Sequence, residues 1–259
     1  MFLRRLPRKS LVVRTLRQNQ NMCPLARHLS SKTYITYKYD MKGIKLRLKN
    51  IKGAKEYCEN SGLVIINPQV FKRKWQEEFG NDNPIHIEIG MGRGDFVIGM
   101  AKLHPEINYI GIEIYDSVIY KAVKKLEEEK LTNIRLVRLD ATNIEEEFDK
   151  EVSTIYLNFS DPWPKKKHTK RRLTSKEFLT RYDKIFKTDK AIIQKTDNSD
   201  LFDFSMESLQ EHGYTLSDVT RDLYSNMIEG NVATEYEKKF VKNGVKINRL
   251  VAKMNWIKY

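Results

Sequence analysis

Cysteine is nearly absent: Cys23 and Cys58 are the only two in 259 residues. They are too few and too far apart for a CxxC metal pair or a disulfide framework, which leaves free thiols of a reducing compartment. No apolar run approaches the roughly 18 residues that a membrane span requires. Met1 to Ser10 also lacks the apolar core of a signal peptide. The chain therefore reads as a soluble protein with no membrane partner. No His, Cys, Asp or Glu grouping has metal-ligand spacing, so no metal is expected, and nothing resembles a Ser-His-Asp set. Asp and Glu are missing altogether from Met1 to Tyr39.

With 40% hydrophobic and 31% charged residues, the chain can bury a sizeable core and is not a disordered polyampholyte. Forty-seven Lys and Arg against 34 Asp and Glu give +13, which makes a polyanion the first partner to consider. Residues 1 to 40 hold nine Lys or Arg and one acid, Asp40, a net +8, so residues 41 to 259 carry only +5. The first segment, in which Arg and Ser recur without any acid before Asp40, resembles an organellar transit peptide in composition. Two plainer readings compete with it: a disordered basic tail, or an upstream stretch with the working start at Met41 or near Leu46. We divide the chain into a basic extension over 1–45 and a domain over 46–259. The expected compartment is the cytoplasm, or an organelle if the leader is real.

Globular patterning begins near residue 63. Asn67 and Pro68 suit the cap and first turn of a helix carrying Phe71, Trp75 and Phe79 at i, i+4 and i+8, stopped by Gly80. Short β-rich runs then alternate with amphipathic stretches. The strands expected are Ile85 to Ile89, Tyr109 to Ile114, Ile134 to Leu139, Thr154 to Phe159 and Ala191 to Lys195. The helices expected are Asp95 to Lys102, Asp116 to Lys130, Thr174 to Phe186 and Asp200 to His212. Thr174 and Glu177 form a capping-box pattern, and Gly213 suits a C-terminal stop. This alternation predicts an α/β fold with a mostly parallel sheet covered on both faces. Two later strands, near Thr215 to Tyr224 and Lys246 to Trp256, lack that spacing and are expected to pair antiparallel at the sheet edge.

In an open parallel sheet the ligand sits at the carboxyl ends of the strands, and here those ends are acidic. The first strand runs into Glu88, Gly90, Gly92, Gly94 and Asp95, whose glycines permit a tight turn and close approach of a ligand to the backbone. The dinucleotide fingerprint G-x-G-x-x-G/A begun at Gly90 requires Gly or Ala where Asp95 stands, and no P-loop Lys-Ser/Thr follows. The pattern E-x-G-x-G-x-G instead resembles the first motif of class I S-adenosylmethionine-dependent methyltransferases. Carboxylates suit that cofactor, which bears a sulfonium and an ammonium and no phosphate. Glu113 closes the second strand 19 residues after Gly94, where an acid can accept from both ribose hydroxyls. Asp140, beside Ala141, closes the third; the resemblance places it against the adenine amino group. Taken singly, each acid could be a helix cap or a solvated loop residue. Three at successive strand ends beside the glycine turn favour a cofactor pocket.

The fourth strand leads into Asn158, Ser160, Asp161, Pro162, Trp163, Pro164 and Lys165, and on to Arg172. Asp-Pro-Trp-Pro-Lys followed by a basic cluster resembles the signature of tRNA guanine-N7 methyltransferases, and the resemblance covers residues 46 to 259. It implies a Rossmann-like class I fold of seven strands with an antiparallel edge strand. The activity implied is methylation of N7 of the variable-loop guanine, position 46, in tRNA. Guanine N7 has a free lone pair, so no general base is needed; the group must be oriented and its developing charge tolerated. Asp161 can accept from guanine N1–H and the 2-amino group and stabilise the cationic product, and it also belongs to the cofactor-lining set. Trp163 offers either a stacking face for a base or a hydrophobic plug.

Lys165 to Arg172 holds six Lys or Arg in eight residues, enough to neutralise several phosphates. Lys166, Lys167, His168, Lys170, Arg171 and Arg172 are the RNA-contacting candidates, although His168 could equally be a solvated histidine. Lys165, Asp197 after the fifth strand, and Thr234, Glu235, Tyr236 and Glu237 match family positions that bind the substrate. Standing alone, Thr234 and Glu237 would read as a helix cap and its N3 partner. In the first strand His86 is expected to be the polar-facing residue. The family includes single-chain and partnered forms; this short core suggests a single chain. Amino-group methyltransferases carry two adjacent prolines where Trp163 here separates them. A non-catalytic RNA-binding module would not need Glu88, Glu113 and Asp140 together.

Overall fold

The structure, a computed structural model, describes residues 37–39, 45–47, 50–225, 228 and 230–254. The expectations of a leader, a basic tail or a start at Met41 lie outside the described residues. Two short strands, β1 (Tyr37–Tyr39) and β2 (Lys45–Arg47), pair antiparallel across the boundary drawn between residues 45 and 46.

The remaining strands build one sheet. They are β3 (Val64–Ile65), β4 (Ile85–Ile89), β5 (Asn108–Glu113), β6 (Ile134–Arg138), β7 (Val152–Asn158), β8 (Phe186–Thr196), β9 (Thr215–Thr220) and β10 (Asn248–Met254), and the helices are α1 (Ala54–Asn60), α2 (Trp75–Phe79), α3 (Asp95–Leu103), α4 (Asp116–Leu126), α5 (Ile144–Glu147), α6 (Lys176–Ile185), α7 (Ser199–Glu211) and α8 (Glu235–Lys242). The strand order is β3-β6-β5-β4-β7-β8-β10-β9, parallel from β3 through β8. β10 runs antiparallel to both β8 and β9, so the expected antiparallel pairing stands at the edge, with the reversed strand one place inside it. Seven strands were expected; β3, two residues long, adds an eighth outside β6 and is too short to show a period of two.

Alternation sorts the strand residues onto two buried faces. On one face, Ile85, Ile87 and Ile89 of β4 join Ile112, Ile155, Leu157 and Ile192 in a core closed by helices α6 (Lys176–Ile185) and α7 (Ser199–Glu211). On the other, Tyr109, Leu136 and Tyr156 pack beneath α3 (Asp95–Leu103) and α4 (Asp116–Leu126). His86 lies on this second face, half-buried between Tyr109 and Tyr156, with its Nδ1 3.3 Å from the Tyr156 hydroxyl. Burial lowers its pKa to about 4, so it is neutral.

Two local expectations are corrected. The helix predicted from Asn67 to Gly80 is broken into a 3-10 turn, Pro68–Phe71, and a short α-helix, Trp75–Phe79, because Arg73 takes a left-handed φ of 66°. Tertiary packing overrides the aromatic spacing there: Trp75 is fully buried, stacks 5.1 Å from Phe148, and its Nε1 donates to the Glu147 carbonyl at 3.2 Å. The capping box of Thr174 and Glu177 does not form. Ser175 occupies the N-cap of α6 without a side-chain cap, and Thr174 is buried with its hydroxyl 2.7 Å from that of Ser205. Elsewhere the predicted helices begin within two residues of their expected starts, while α4 ends at Leu126, four residues before the expected Lys130; Gly213 turns the chain after α7 with φ 99°. Among the described residues, no helix is long and apolar enough to cross a membrane.

Candidate active site

The carboxyl end of β4 opens into the glycine turn. Gly90, Gly92 and Gly94 all adopt positive φ, at 77°, 58° and 77°, and a Cβ added at Gly90 or Gly92 would meet nothing within 4 Å. The turn is tied to β5: the Gly90 and Met91 amides donate to the Ile112 carbonyl at 2.9 and 3.0 Å, and Gly92 N–H donates to Glu113 Oε2 at 3.2 Å. Glu113 Oε1 accepts from the amides of Ile114 and Tyr115 at 2.8 and 3.3 Å. Three backbone donors thus orient one carboxylate beside the turn. Next along the sheet, Leu139 N–H donates to the Glu113 carbonyl at 3.1 Å and sets exposed Asp140 beside it. Asp140 Oδ1 accepts from Thr142 N–H and Oγ1 at 2.9 and 2.8 Å, so the acid does cap the 3-10 turn Ala141–Asn143. Ala141 packs against the core.

Glu88 is 2% exposed. Its Oε1 accepts from Asn158 Nδ2 at 2.9 Å, while Oε2 is buried with no partner in hydrogen-bonding geometry among the described residues. Burial pushes its pKa up to about 8, against the opposing pull of the Asn158 amide, the Lys195 ammonium and the Val97 backbone N–H. A buried acid that lacks half its partners is a costly arrangement without a ligand to complete it.

The loop after β7 carries two non-glycine residues with left-handed backbone, Phe159 at φ 53° and Trp163 at φ 40°. Phe159 N–H donates to the Lys195 carbonyl at 2.8 Å, its ring is buried, and Asp161 is exposed beyond it. Trp163 belongs to none of the core clusters: it is half-buried, with the Arg171 guanidinium 4.9 Å and the His168 ring 5.7 Å from its ring centre. Lys165, Lys166, Lys167 and Lys170 are exposed around the 3-10 turn Lys166–Arg171, and Lys170 also reaches Glu177 at 3.5 Å. His168 has its pKa lowered by desolvation and by the neighbouring cations Arg171, Lys167 and Lys165. Arg172, grouped with the RNA contacts from sequence, directs its guanidinium at the loop itself: Nε donates to the Pro162 carbonyl at 2.9 Å and Nη2 to that of Trp163 at 3.3 Å.

At the end of β8, Lys195 is 3% exposed and pairs with Glu237, 0% exposed, at 2.6 Å. Its ammonium also donates to the Val232 carbonyl at 2.9 Å and to Asn231 Oδ1 at 3.3 Å. Burial lowers the Lys195 pKa, and Glu237 opposes the shift. Glu237 further accepts from Tyr224 O–H at 2.9 Å, Asn231 Nδ2 at 3.2 Å and Thr234 N–H at 3.3 Å. Thr234 Oγ1 accepts from Glu237 N–H at 2.9 Å, completing a capping box at the start of helix α8 (Glu235–Lys242). Exposed Glu235 takes both its oxygens to Arg93 of the glycine turn, at 2.6 and 2.8 Å. The Tyr236 ring lies 5.2 Å from that of Phe159, and Asp197 is half-buried just past β8.

These contacts join most of the expected positions. Glu88, Asn158, Lys195 and Glu237 form one buried polar row; the glycine turn follows Glu88, the Asp161 loop follows Asn158, and the Thr234–Glu237 block closes back on the glycine turn through Glu235 and Arg93. Asp140 stands outside that row. Sequence reading missed Asn158, Lys195, Arg93, Tyr224 and Asn231. A usable signal existed for Asn158, the polar residue that closes the apolar run Ile155 to Leu157 of β7; Lys195, opposite it in register, sits in a strand that also holds Lys187, Asp189, Lys190 and Gln194 and offered none. A cavity of about 140 Å³ on this face is lined by Phe96, Tyr156, Asn158, Lys195 and Arg249, among others. A wider cleft of about 610 Å³, lined by Arg73, Lys150 and Glu151 among others, lies at the amino ends of β4 and β7 and touches none of these residues.

Comparison with known proteins agrees with this geometry. A family model described as "Putative methyltransferase" matches residues 82–250. The tRNA (guanine-N(7)-)-methyltransferase of Lachnoclostridium phytofermentans is 53% identical over 209 residues, covering 80% of this chain and 98% of that protein. The Listeria innocua protein of that name is 50% identical over 81% of this chain and 99% of its own. The Bacillus subtilis one is 48% identical over 77% and 93%. Among solved structures, an antibiotic-related methyltransferase has a TM-score of 0.54 at 18% identity, covering 71% of this chain and 94% of that chain. The 16S rRNA methyltransferase KamB has a TM-score of 0.53 at 11% identity, with the same coverage. These two show the class I methyltransferase fold alone. With about half its aligned residues identical over some four fifths of its length, the chain belongs to the tRNA (guanine-N7-)-methyltransferase family.

Proposed function

We propose that this chain transfers a methyl group from S-adenosylmethionine to N7 of a guanine in tRNA, the variable-loop guanine at position 46. The observation that carries the reading is the Asp161 to Lys165 loop standing at the end of β7, the strand directly beside the one that bears the glycine turn. The residues present suit the cofactor. Glu88 Oε2 is a buried acceptor of the kind an ammonium satisfies, and the open space above Gly90 and Gly92 admits a ligand against the backbone. Glu88 would hold the ammonium, Glu113 the ribose hydroxyls and Asp140, with Ala141, the adenine edge. Once bound, S-adenosylmethionine supplies an electrophilic methyl group on a sulfonium.

Asp161 accepts from guanine N1–H and the 2-amino group, which selects guanine and turns N7 toward the methyl. Its negative charge is already in place when positive charge develops on the purine, so little reorganisation is required. No proton needs to leave N7, so Asp161 works as an ion and not as a base. Lys165, Asp197, Thr234, Glu235 and Tyr236 border the nucleotide; Glu237, fully buried against Lys195, holds that block from within, and Arg93 ties it to the glycine turn. The exposed lysines at 166, 167 and 170 face the phosphates.

Labelled S-adenosylmethionine and unmodified tRNA, followed by nucleoside mass spectrometry, test the reading. The expected product is 7-methylguanosine, lost when the variable-loop guanine is replaced. Asp161→Ala should reduce turnover by about 100-fold or more while leaving the fold intact. Near-normal turnover in that variant would remove Asp161 from the reaction.

A further inference from the structure

The loop that carries Asp161 is built in an unfavourable backbone conformation. Phe159 and Trp163 both sit at positive φ without being glycine, a state that persists only where the surroundings hold it. Pro162 and Pro164 have no N–H to contribute to that restraint. Phe159 has its own anchor, an amide donating to the Lys195 carbonyl at 2.8 Å and a buried ring. At Trp163 the restraint comes from a residue nine positions further on. The half-buried Arg172 sends Nε to the Pro162 carbonyl at 2.9 Å and Nη2 to the Trp163 carbonyl at 3.3 Å. The same guanidinium lies 4.4 Å over the ring of Phe204 in α7, so it is seated on the helical layer as well as on the loop.

We propose that Arg172 is a positioning residue for Asp161, a planar clamp on the carbonyls of Pro162 and Trp163 that sets the direction of the carboxylate between them and β7. This role rests on the reading of Asp161 as the guanine-binding group. It separates Arg172 from the exposed lysines of the same basic run, whose ammonium groups are available to phosphate. A rigid fork spans two adjacent carbonyls; a lysine ammonium carries the same charge but not that geometry. A phosphate contact tolerates the exchange of Arg for Lys far better than the clamp does.

Arg172→Lys therefore discriminates, with Phe204→Leu as a second variant that removes the seat and leaves the arginine. For Arg172→Lys in the full-length protein we expect kcat at saturating tRNA to fall roughly 10- to 100-fold, since small misplacements of a reacting group have effects of that size. The KM for tRNA and the slope of affinity against salt should stay near wild type, and Phe204→Leu should fall in the same direction by less. Hydrogen–deuterium exchange gives a readout independent of activity: amides over 159–165 should exchange faster in both variants, while the strands keep their protection. Unchanged exchange in that segment, or a loss confined to KM with a flatter salt slope, would overturn the clamp. Asp161→Ala run in parallel keeps the two ideas apart. Normal turnover there, with faster loop exchange in Arg172→Lys, would refute the role of Asp161 and leave Arg172 as a brace of a loop that is not catalytic.

Discussion

Glu88 makes cofactor affinity a function of pH. Its carboxyl is 2% exposed, and burial raises its pKa to about 8, whereas the unfolded chain titrates near the ordinary glutamate value. Between those two values the folded, ligand-free protein retains a proton that the unfolded chain has released, so its stability decreases as pH rises through that window. An ammonium placed against Oε2 selects the ionised carboxylate, and binding must then expel the proton. Affinity should rise about tenfold per pH unit below about pH 8, which makes roughly 70-fold between about pH 5.5 and about pH 7.5. Isothermal calorimetry with S-adenosylhomocysteine, in buffers of different ionisation enthalpy, should record close to one proton released at about pH 6. Glu88→Gln should abolish both the pH slope and the proton release, bind more weakly at about pH 7.5, and yield a ligand-free fold whose stability no longer drops toward neutral pH. Flat affinity in the wild type, or an unchanged slope in Glu88→Gln, would refute the assignment of Glu88 to the ammonium.

Breaking the buried pair should be costly: Lys195→Met leaves the fully buried Glu237 carboxylate without its cation, for a loss of about 3–5 kcal/mol. In a domain of this size that lowers the unfolding midpoint by roughly 6–20 °C, and the double change Lys195→Met with Glu237→Gln should recover part of it in a thermal scan. A single-variant loss below about 1 kcal/mol would mean that the pair is not desolvated. Lys166→Ala removes one exposed cation, and the slope of log affinity for tRNA against log salt should become shallower by about one; an unchanged slope would take Lys166 out of the phosphate path.

The limits of β4 to β7 could be read to within two residues, because a short apolar run bounded by turn and helix-start residues depends only on neighbours along the chain. The glycine turn, the acids Glu88, Glu113 and Asp140, and the Asp161 loop were legible for the same reason: each is a short stretch placed at a strand end. The helix predicted over Asn67 to Gly80 was not, since the burial of Trp75 against Phe148 outweighed an aromatic spacing that suited one continuous helix. Nor could Thr174 be told from a cap until its hydroxyl met Ser205 across the sheet's helical layer.

What the sequence determined by itself is the alternation of elements, the acidic strand ends and the identity of the loop beside them. Only the tertiary structure decided what those residues touch. Lys195 meets Glu237 across 42 positions and Arg93 meets Glu235 across 142, distances over which the order of strands, and no local pattern, decides the partner. Arg172 belongs to the same class: in a run of like charges each side chain reads alike, and the carbonyls within reach of a guanidinium are known only once the chain has turned back on itself.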